Sequence, residues 1–323
     1  MKKRIGINIS FMTPAQRERL TRAAAECGAE PRFVPQDGTA AVLARECEVL
    51  FGRFSRDELR SAARLEWHQS SSAGVDALLA DGGCMPQGAV LTCSTGAFGV
   101  TMSEHLICYL LMLMRSVPEY NVGQALRRWQ QLYPLRSICG STIVVVGLGD
   151  IGGQFARKAR ALGAHVIGVR RSGRPAPELA DRVVTPDRLT EVLPLADAVA
   201  VALPATGETE NMFSAEVIGS IKEGAYFLNV GRGSAVDQEA LLAALRSGRL
   251  AGAALDVFVP EPLPPEHPLW SAPNTLITPH VSGGEALPLT CDLIVDIFIE
   301  NLRRFAAGEP LKNVVTAAGY AAE

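Results

Sequence analysis

The sequence lacks the features of a membrane-spanning, nucleic-acid-binding or secreted protein. Its longest membrane-like apolar run, from Leu106 to Met114, is too short to cross a bilayer. The formal net charge of -3 provides no basic surface of the kind that nucleic-acid partners require. The basic residues at positions 2–4 are followed by Gly6, Asn8 and Ser10, which interrupt the apolar core that a signal peptide would need. No targeting segment is therefore predicted. We therefore expect a cytoplasmic protein with no nucleic-acid or membrane partner.

The cysteines do not show the spacing of a metal site or of a disulfide framework. The seven cysteines are an odd number, and none of them forms a C-x-x-C pair. Neither a disulfide framework nor a metal site is indicated, and free buried thiols are the expected state. Repeats and low-complexity tracts are also lacking. With 323 residues, of which 48% are hydrophobic, the chain is long enough for two globular domains.

The most informative stretch is a glycine-spaced turn that follows four β-branched apolar residues, 143–146. Gly147, Gly149 and Gly152 match the G-x-G-x-x-G pattern, in which the glycines permit a tight turn, close approach of a pyrophosphate and packing of helix on strand. A helical pattern over 154–162 and a second strand over 165–169 complete a dinucleotide-binding unit, rather than a plain strand-to-helix turn without a ligand. The predicted cofactor-binding residues of this loop are Gly147, Leu148, Gly149, Asp150, Ile151 and Gly152.

Asp150 is unexpected in such a loop, because a carboxylate near a pyrophosphate should repel it. Alternatively, it lies in the first helical turn and points away, where the helix dipole tolerates it. The sequence leaves both readings open.

The residues after the second strand bear on which nucleotide is used. An NAD site expects an acidic residue there, about 20 positions on, to hold the ribose hydroxyls. This chain instead has Arg170, Arg171, Ser172 and Arg174. Arginine forks suit a 2′-phosphate, so the sequence predicts NADP(H) as the preferred cofactor, with NAD(H) possible. The alternative is that these arginines form a solvated loop.

Alternating strand and helix patterns on both sides of the glycine turn predict the α/β class, with two Rossmann-like parallel-sheet domains. The substrate domain is predicted to be discontinuous and flavodoxin-like, formed by residues 1–98 and 287–323, around a dinucleotide-binding Rossmann domain of residues 99–286. The predicted strands span 4–9, 48–51, 65–69, 89–93, 143–146, 165–169, 198–203, 225–230, 252–257 and 275–278. A helix over 287–307, ended by Gly308, is followed by an extended tail over 310–315 that we expect to return to the first domain.

Three polar turns follow strands of the predicted cofactor domain, at 229–233, 256–262 and 278–284. Ligands of open α/β sheets bind at the carboxyl ends of the strands, so these turns are expected to face the dinucleotide. Arg232 can fork onto the oxygens of a 2-keto acid, and His280 can supply a proton near neutral pH. Glu261 would favour the imidazolium and fix its tautomer. Taken singly, each residue has another interpretation. Arg232 could form an ion pair within its loop, His280 could be a buried core histidine, and Glu261 could be a solvated acid.

In the first domain, residues 69–76 consist mainly of small residues after a strand, which suits a nest of backbone N–H groups for a carboxylate or an ordinary turn equally well. Arg53 also follows a strand and is expected either to line the substrate pocket or to be a surface arginine.

The chain resembles the D-isomer-specific 2-hydroxyacid dehydrogenases over nearly its whole length. The resemblance rests on the glycine pattern, Leu203-Pro204 with Thr209, residues 229–233 and 256–262, and Pro279-His280. It implies that Arg232, Glu261 and His280 are the catalytic set. It also implies a two-domain clamp, and a homodimer built largely through the cofactor domains.

The resemblance further implies that Asp256 contacts the nicotinamide carboxamide and that Leu203 and Pro204 line the cofactor cleft, with Thr209 shaping their loop. The expected substrate contacts are Arg232, His280, Arg53 and the backbone amides of Ser72, Ala73 and Gly74. Val230, Gly231 and Gly283 complete the expected cofactor-binding residues.

The resulting prediction is an NADPH-dependent reductase of a short 2-keto acid, such as glyoxylate or hydroxypyruvate, giving a D-2-hydroxy acid. The missing acidic residue is the departure from the family's NAD pattern and points to its glyoxylate and hydroxypyruvate reductases. Two alternatives remain open. One is an NAD(P)-sensing, corepressor-like binding protein on the same scaffold, and the other is a family dehydrogenase for a larger substrate, such as a sugar acid or phosphoglycerate.

Overall fold

The structure is a computed structural model that describes residues 2–34, 39–316 and 319–320. The chain divides into two compact units, Met1–Phe98 with Glu285–Glu323 and Gly99–Gly284. Each unit contains one seven-stranded sheet with helices between its strands. The predicted fold class, α/β with two Rossmann-like sheets, is confirmed. None of the helices in the described residues combines the length and the apolar character needed to cross a membrane.

Strands and helices alternate through the first part of the chain. The elements are β1 (Arg4–Asn8), α1 (Pro14–Glu26), β2 (Glu30–Phe33), α2 (Ala40–Glu46), β3 (Val49–Gly52), α3 (Arg56–Arg60), β4 (Trp67–Gln69), α4 (Asp76–Leu79) and β5 (Val90–Thr92). Helix α1 begins with a reciprocal capping box between Thr13 and Gln16, and Pro14 occupies its first turn. The sequence pattern missed β2 because this edge strand is only partly buried and shows no apolar alternation.

The second unit begins with two helices and continues through a fully parallel sheet. Its helices are α5 (Gly99–Met114), α6 (Val117–Ala125), α7 (Asp150–Ala161), α8 (Leu189–Val192), α9 (Ala215–Ser220) and α10 (Gln238–Arg246). Its strands are β6 (Thr142–Val146), β7 (His165–Val169), β8 (Arg182–Val184), β9 (Ala198–Val201), β10 (Ala225–Asn229), β11 (Leu250–Leu255) and β12 (Thr275–Ile277). Short β8 was not predicted. Helix α7 begins at Asp150, four residues earlier than its sequence pattern indicated.

The chain then returns to the first unit through α11 (Pro288–Ala307), β13 (Val314–Thr316) and β14 (Gly319–Tyr320). The strand order of the first sheet is β14-β13-β5-β4-β3-β1-β2. Strand β13 pairs antiparallel with β5, so the predicted extended tail becomes an antiparallel edge on an otherwise parallel sheet, a common arrangement. Helix α11 covers this sheet with Phe298, whose ring stacks on that of Phe51 at a centroid separation of 4.0 Å.

The second sheet has the order β12-β11-β10-β9-β6-β7-β8, so the chain reverses direction across the sheet at β6. The gap between β6 and β9 is therefore the topological switch point at which such sheets bind ligands. The registers align Val146 with Val201, Val201 with Asn229, Asn229 with Leu255, and Leu255 with Ile277. The loops after these five strands consequently leave from one edge of the sheet.

Candidate active site

The glycine loop after β6 has the shape that a dinucleotide requires. Gly147 has a φ of +97°, and a Cβ there would lie 2.5 Å from the carbonyl oxygen of Ala202. A Cβ on Gly152 would lie 1.8 Å from the carbonyl oxygen of Gly147, so only glycine lets α7 pack this closely. Gly149, by contrast, faces open space, where its backbone and the first turn of α7 can meet a pyrophosphate. These residues fit a bound dinucleotide.

The other residues of the glycine loop contact neighbouring parts of the second unit. Leu148 is buried, and its Cδ1 lies 2.2 Å from the position of a Cβ on Gly168. Ile151 is half-buried in the first turn of α7. The carboxylate of Asp150 accepts a hydrogen bond of 2.9 Å from the N–H of Gly99, the first residue of α5. Its charge is thereby directed to another helix N-terminus, which accounts for an acid beside the glycine loop.

The arginines predicted to select NADP(H) follow β7 directly. Arg171 lies 3.8 Å from a carboxylate oxygen of Glu208, and both side chains are more than two-thirds exposed, so this ion pair is weak. The hydroxyl of Ser172 accepts a long hydrogen bond of 3.4 Å from the N–H of Arg174. In the described parts of the chain, the side chains of Arg170 and Arg174 have no carboxylate partner. The end of β7 is therefore cationic.

Two further loops of the predicted cofactor site are in contact. A Cβ on Gly231 would lie 2.6 Å from both the backbone N and O of Leu203, so the turns after β9 and β10 touch. Thr209 donates to the carbonyl of Pro204 at 2.7 Å and accepts from the N–H of Thr206 at 2.9 Å. Its side chain therefore closes the 204–209 loop. Val230, the next residue after β10, is buried.

Arg232 lies in a turn that its neighbour Asn229 shapes. The Asn229 side chain accepts from the N–H of Gly231 and donates to the carbonyl of Arg232, each at 3.0 Å. Arg232 donates to the Gly231 carbonyl at 2.8 Å and is partly exposed. A Cβ on Gly233 would lie 2.3 Å from the carbonyl carbon of Phe258, so this turn packs directly against the loop that carries Glu261.

Glu261 and His280, 19 residues apart in sequence, form a close pair. Nδ1 of His280 lies 2.7 Å from Oε2 of Glu261, while Oε1 of Glu261 accepts from the N–H of Phe258 at 2.9 Å. A carboxylate can only accept, so Nδ1 carries the proton and Nε2 is the nitrogen left for chemistry. The imidazole is half exposed. A carboxylate-oriented imidazole of this kind can exchange a proton with a ligand.

The turn of residues 278–282, called the His280 turn below, lies over Asp256. Asp256 is completely buried. Its carboxylate accepts hydrogen bonds from the hydroxyl of Thr278, the N–H of Val281, and both the N–H and the hydroxyl of Ser282. A contact between this carboxylate and a nicotinamide carboxamide would require one of these bonds to be exchanged. Gly283 follows this turn.

The residues that support this turn and the neighbouring Glu261 loop were not predicted from the sequence. Tyr109 of α5 is hydrogen-bonded through its hydroxyl to that of Thr278. Gln238, at the start of α10, holds the loop before Glu261 through the backbone of Val259. A polar hydroxyl within the strongly apolar α5 was the signal available for Tyr109, but sequence alone does not name its partner.

In the first unit, the predicted carboxylate nest follows β4. The N–H of Ser72 donates to the hydroxyl of Ser70 at 3.1 Å. The N–H groups of Ala73 and Gly74 find no protein acceptor among the described residues. The hydroxyl of Ser71 is buried without a partner, which marks a polar group that a ligand could satisfy.

Arg53 is an exposed residue that forms an ion pair with Glu285. Its guanidinium lies 3.0 Å from Oε1 of Glu285, and the same carboxylate accepts from the hydroxyl of Ser10. The Arg53 side chain remains 68% exposed. The pair reduces the cationic character expected of Arg53, but it leaves the side chain accessible to solvent.

Comparison with known proteins places this geometry in a family. Residues 107–282 match the model of the D-isomer-specific 2-hydroxyacid dehydrogenase NAD-binding domain. The glyoxylate/hydroxypyruvate reductase A of Photorhabdus laumondii is 32% identical over 75% of this chain and 77% of its own.

Two solved structures share the whole architecture. A family member from Aeromonas salmonicida has 36% identity and a TM-score of 0.87, covering 98% of this chain and 100% of its own. The NADPH-dependent glyoxylate/hydroxypyruvate reductase of Sinorhizobium meliloti, in complex with NADP and sulfate, has 27% identity and a TM-score of 0.81, covering 98% and 99% of the two chains. The chain therefore belongs to the D-isomer-specific 2-hydroxyacid dehydrogenase family of NAD(P)-dependent oxidoreductases.

Proposed function

We propose that this protein reduces short 2-keto acids to D-2-hydroxy acids, with NADPH as the preferred hydride donor. The observation that carries the proposal is the contact between Nδ1 of His280 and Glu261, at the same sheet edge as the glycine loop and the Arg232 turn. When bound, the reduced nicotinamide supplies the hydride to the carbonyl carbon. The chain must then bind the carboxylate, polarise the carbonyl and protonate the new alkoxide.

The three side chains have distinct roles in this proposal. Arg232 binds the keto acid through its guanidinium fork and stabilises the negative charge that develops on the carbonyl oxygen. His280 donates the proton from Nε2 to that oxygen. Glu261 holds the ring through Nδ1 and favours the imidazolium from which the proton comes. Within the first unit, the N–H groups of Ala73 and Gly74, together with that of Ser72, are proposed separately as a binding nest for a carboxylate.

A substitution of His280 tests the proton-donor role. His280→Ala should suppress reduction of every keto acid, whereas the cofactor dissociation constant should stay close to that of the parent because the glycine loop is untouched. Loss of NADPH absorbance measures the first quantity and a fluorescence titration the second. Reduction by the variant at the parental rate would remove His280 from the mechanism.

The preference for NADPH is supported by the cationic end of β7. Neither Arg170 nor Arg174 is neutralised by a carboxylate in the described residues, and Arg171 is paired only weakly with Glu208. Guanidinium groups bind a 2′-phosphate through charge-assisted hydrogen bonds. The NADP complex of the Sinorhizobium meliloti reductase supports the same preference.

The cofactor test compares KM for NADPH and NADH in the parent and in Arg170→Ala, Arg171→Ala and the double variant. We expect KM for NADPH to rise and KM for NADH to change little. Arg188→Ala is the matched control, because Arg188 is an exposed arginine of the same unit that pairs with Glu191. A parent that prefers NADH would contradict the proposal.

Glyoxylate and hydroxypyruvate are the proposed substrates, since the Photorhabdus laumondii relative carries that name. A panel of about six keto acids with both cofactors tests this choice and also separates the remaining alternatives. Turnover only of larger substrates would indicate a sugar-acid or phosphoglycerate enzyme. Cofactor binding with no turnover of any keto acid would favour a nucleotide-sensing binding protein.

We further propose a homodimer formed through the second unit. The segment from α6 to residue 135 exposes several large apolar side chains, including Trp129 at 98% and Tyr133 at 78% exposure. An exposed apolar cluster of this kind is typical of a protein interface. Sedimentation of the parent should give a dimer, and Trp129→Glu should shift it toward the monomer. A monomeric parent at micromolar concentration would contradict this proposal.

A further inference from the structure

We infer that Tyr109 is a positioning residue for His280, acting from helix α5 through Thr278 and Asp256. The inference rests on the proposed role of His280 as the proton donor. It assigns a function to a buried hydroxyl that does not belong to the catalytic set, and it concerns only residues of the second unit.

His280 occupies a turn that requires support. Its φ is +53°, in the left-handed region that a residue with a side chain rarely adopts. Its N–H donates to the carbonyl of Asp256 at 2.9 Å and to that of Thr278 at 3.1 Å. Such a conformation persists only where the surrounding structure holds it. The direction of the imidazole therefore depends on the groups that fix residues 278–282.

The Asp256 carboxylate is the centre of that support. It is fully buried, and its four hydrogen bonds come from three residues of the turn. Two carboxylate oxygens offer about four lone-pair sites, so its accepting capacity is filled. Because a buried charge is stable only when it is hydrogen-bonded, each of these donors is held firmly in place.

The hydroxyl of Thr278 connects the Asp256 carboxylate to Tyr109 of α5 through two successive hydrogen bonds. The donor of each bond can be assigned. Thr278 has one hydroxyl proton, which it donates to Asp256. The hydroxyl of Tyr109 must therefore donate to Thr278. Tyr109 is buried, and burial raises the pKa of its phenol, so the donor remains protonated. Successive hydrogen bonds of this kind polarise and strengthen one another.

Helix α5 is a suitable base for this contact because it is anchored at two places. At its first residue, Gly99 donates to Asp150, which adjoins the glycine loop. Further along, Nζ of Lys158 in α7 donates to the hydroxyl of Ser103 at 2.6 Å. One helix thus ties the catalytic turn to the proposed cofactor loop.

The activity test compares Tyr109→Phe, Thr278→Val, their double variant and Thr278→Ser. Tyr109→Phe should lower kcat for the keto acid by about three- to tenfold, the range for one hydrogen bond. Thr278→Val should lower kcat by at least about tenfold, because it also misplaces the His280 turn. KM for the cofactor should stay near the parental value, and Thr278→Ser should recover most of kcat. The double variant should be no slower than Thr278→Val alone, since both changes break one chain of bonds.

A second measurement does not depend on turnover. Nitrogen-15 spectra of the histidine rings in the cofactor-free protein report whether Nδ1 of His280 is hydrogen-bonded, with His280→Gln identifying the signal. Thr278→Val should weaken that signature, and Tyr109→Phe should weaken it in part. The ring of His165, an exposed residue of β7, is the internal reference and should not change.

Tyr120→Phe is the matched control, because it also removes one tyrosine hydroxyl hydrogen bond, to the N–H of Leu132 in the same unit. It should leave both kcat and the His280 signal unchanged. Additive effects of the two substitutions, or a lower melting temperature with kcat and the His280 spectrum unchanged, would overturn the inference. If the parent reduces no keto acid, the proposed function fails, while the ring spectra still decide whether Tyr109 positions His280.

Discussion

Replacing Glu261 with glutamine should separate orientation of His280 from simple packing. Glu261 serves two donors at once, the N–H of Phe258 through Oε1 and Nδ1 of His280 through Oε2. Glutamine has nearly the same shape but only one accepting oxygen. In Glu261→Gln, one donor therefore faces an amide NH₂. If that donor is Nδ1 of His280, the ring is driven to the tautomer with its proton on Nε2, and the imidazolium loses its counter-charge.

The size of the effect follows from the geometry of the pair. At a charge separation of about 4 Å, the Coulomb energy is about 4 kcal/mol at an effective dielectric constant of 20 and about 1 kcal/mol in bulk water. The two side chains are 50% and 36% exposed, which places the pair between these limits. We therefore expect kcat/KM for the keto acid to fall by roughly 10- to 100-fold, or about 1.4–2.7 kcal/mol. The cofactor dissociation constant should be unaffected.

The assay is reduction of glyoxylate or hydroxypyruvate at saturating NADPH, across pH 5–9, for the parent, Glu261→Gln and Glu261→Asp. The loss in Glu261→Gln should be present throughout that range, and Glu261→Asp should retain part of the activity because it keeps the charge. A Glu261→Gln variant with more than half of the parental kcat/KM and the same pH profile would refute the reasoning. Equal losses in both variants would indicate that side-chain length, rather than charge, controls His280.

Three further predictions concern the scaffold. Gly149→Ala should leave the melting temperature unchanged, because a Cβ there meets no protein atom, yet weaken cofactor binding measured by titration; Gly152→Ala, whose Cβ would collide with backbone, should also destabilise the fold. His68 is buried, and burial lowers its pKa to about 4 from 6.5, so the unfolded state binds the extra proton between these values. The free energy of unfolding in urea should therefore fall by up to roughly 3 kcal/mol from pH 7 to pH 4, and His68→Gln should reduce this dependence; an unchanged dependence would show that other groups cause it. Asp150→Ala should cost about 0.5–2 kcal/mol in urea unfolding by removing the acceptor for the N–H of Gly99, and an unaltered midpoint would contradict the capping role.

The sequence determined those features that depend on neighbouring residues. Gly147 and Gly152 are required by backbone contacts within one strand–turn–helix unit, so their spacing alone predicts the loop. Parallel strands were predictable because buried apolar runs alternate with helical patterns. The positions of Arg232 and His280 followed from the rule that turns after such strands share one sheet edge, and the observed registers bring those strand ends together.

The sequence could not decide features that depend on which distant groups meet. The direction of the Asp150 carboxylate depends on the start of α5, 51 residues away. The antiparallel edge depends on where β13 lands after α11, and β2 has too little apolar content to show a strand pattern.

The support of the His280 turn shows the same division most clearly. The sequence marks His280 by its place after a strand, but Tyr109 is 169 residues from Thr278, and no local pattern links them. Only the packing of α5 brings the buried hydroxyl of Tyr109 to that of Thr278, because a polar group without water must find its hydrogen bond in the folded chain. The sequence thus determined the candidate catalytic side chains and the strand ends that carry them, and the tertiary structure decided which buried groups hold these side chains in place.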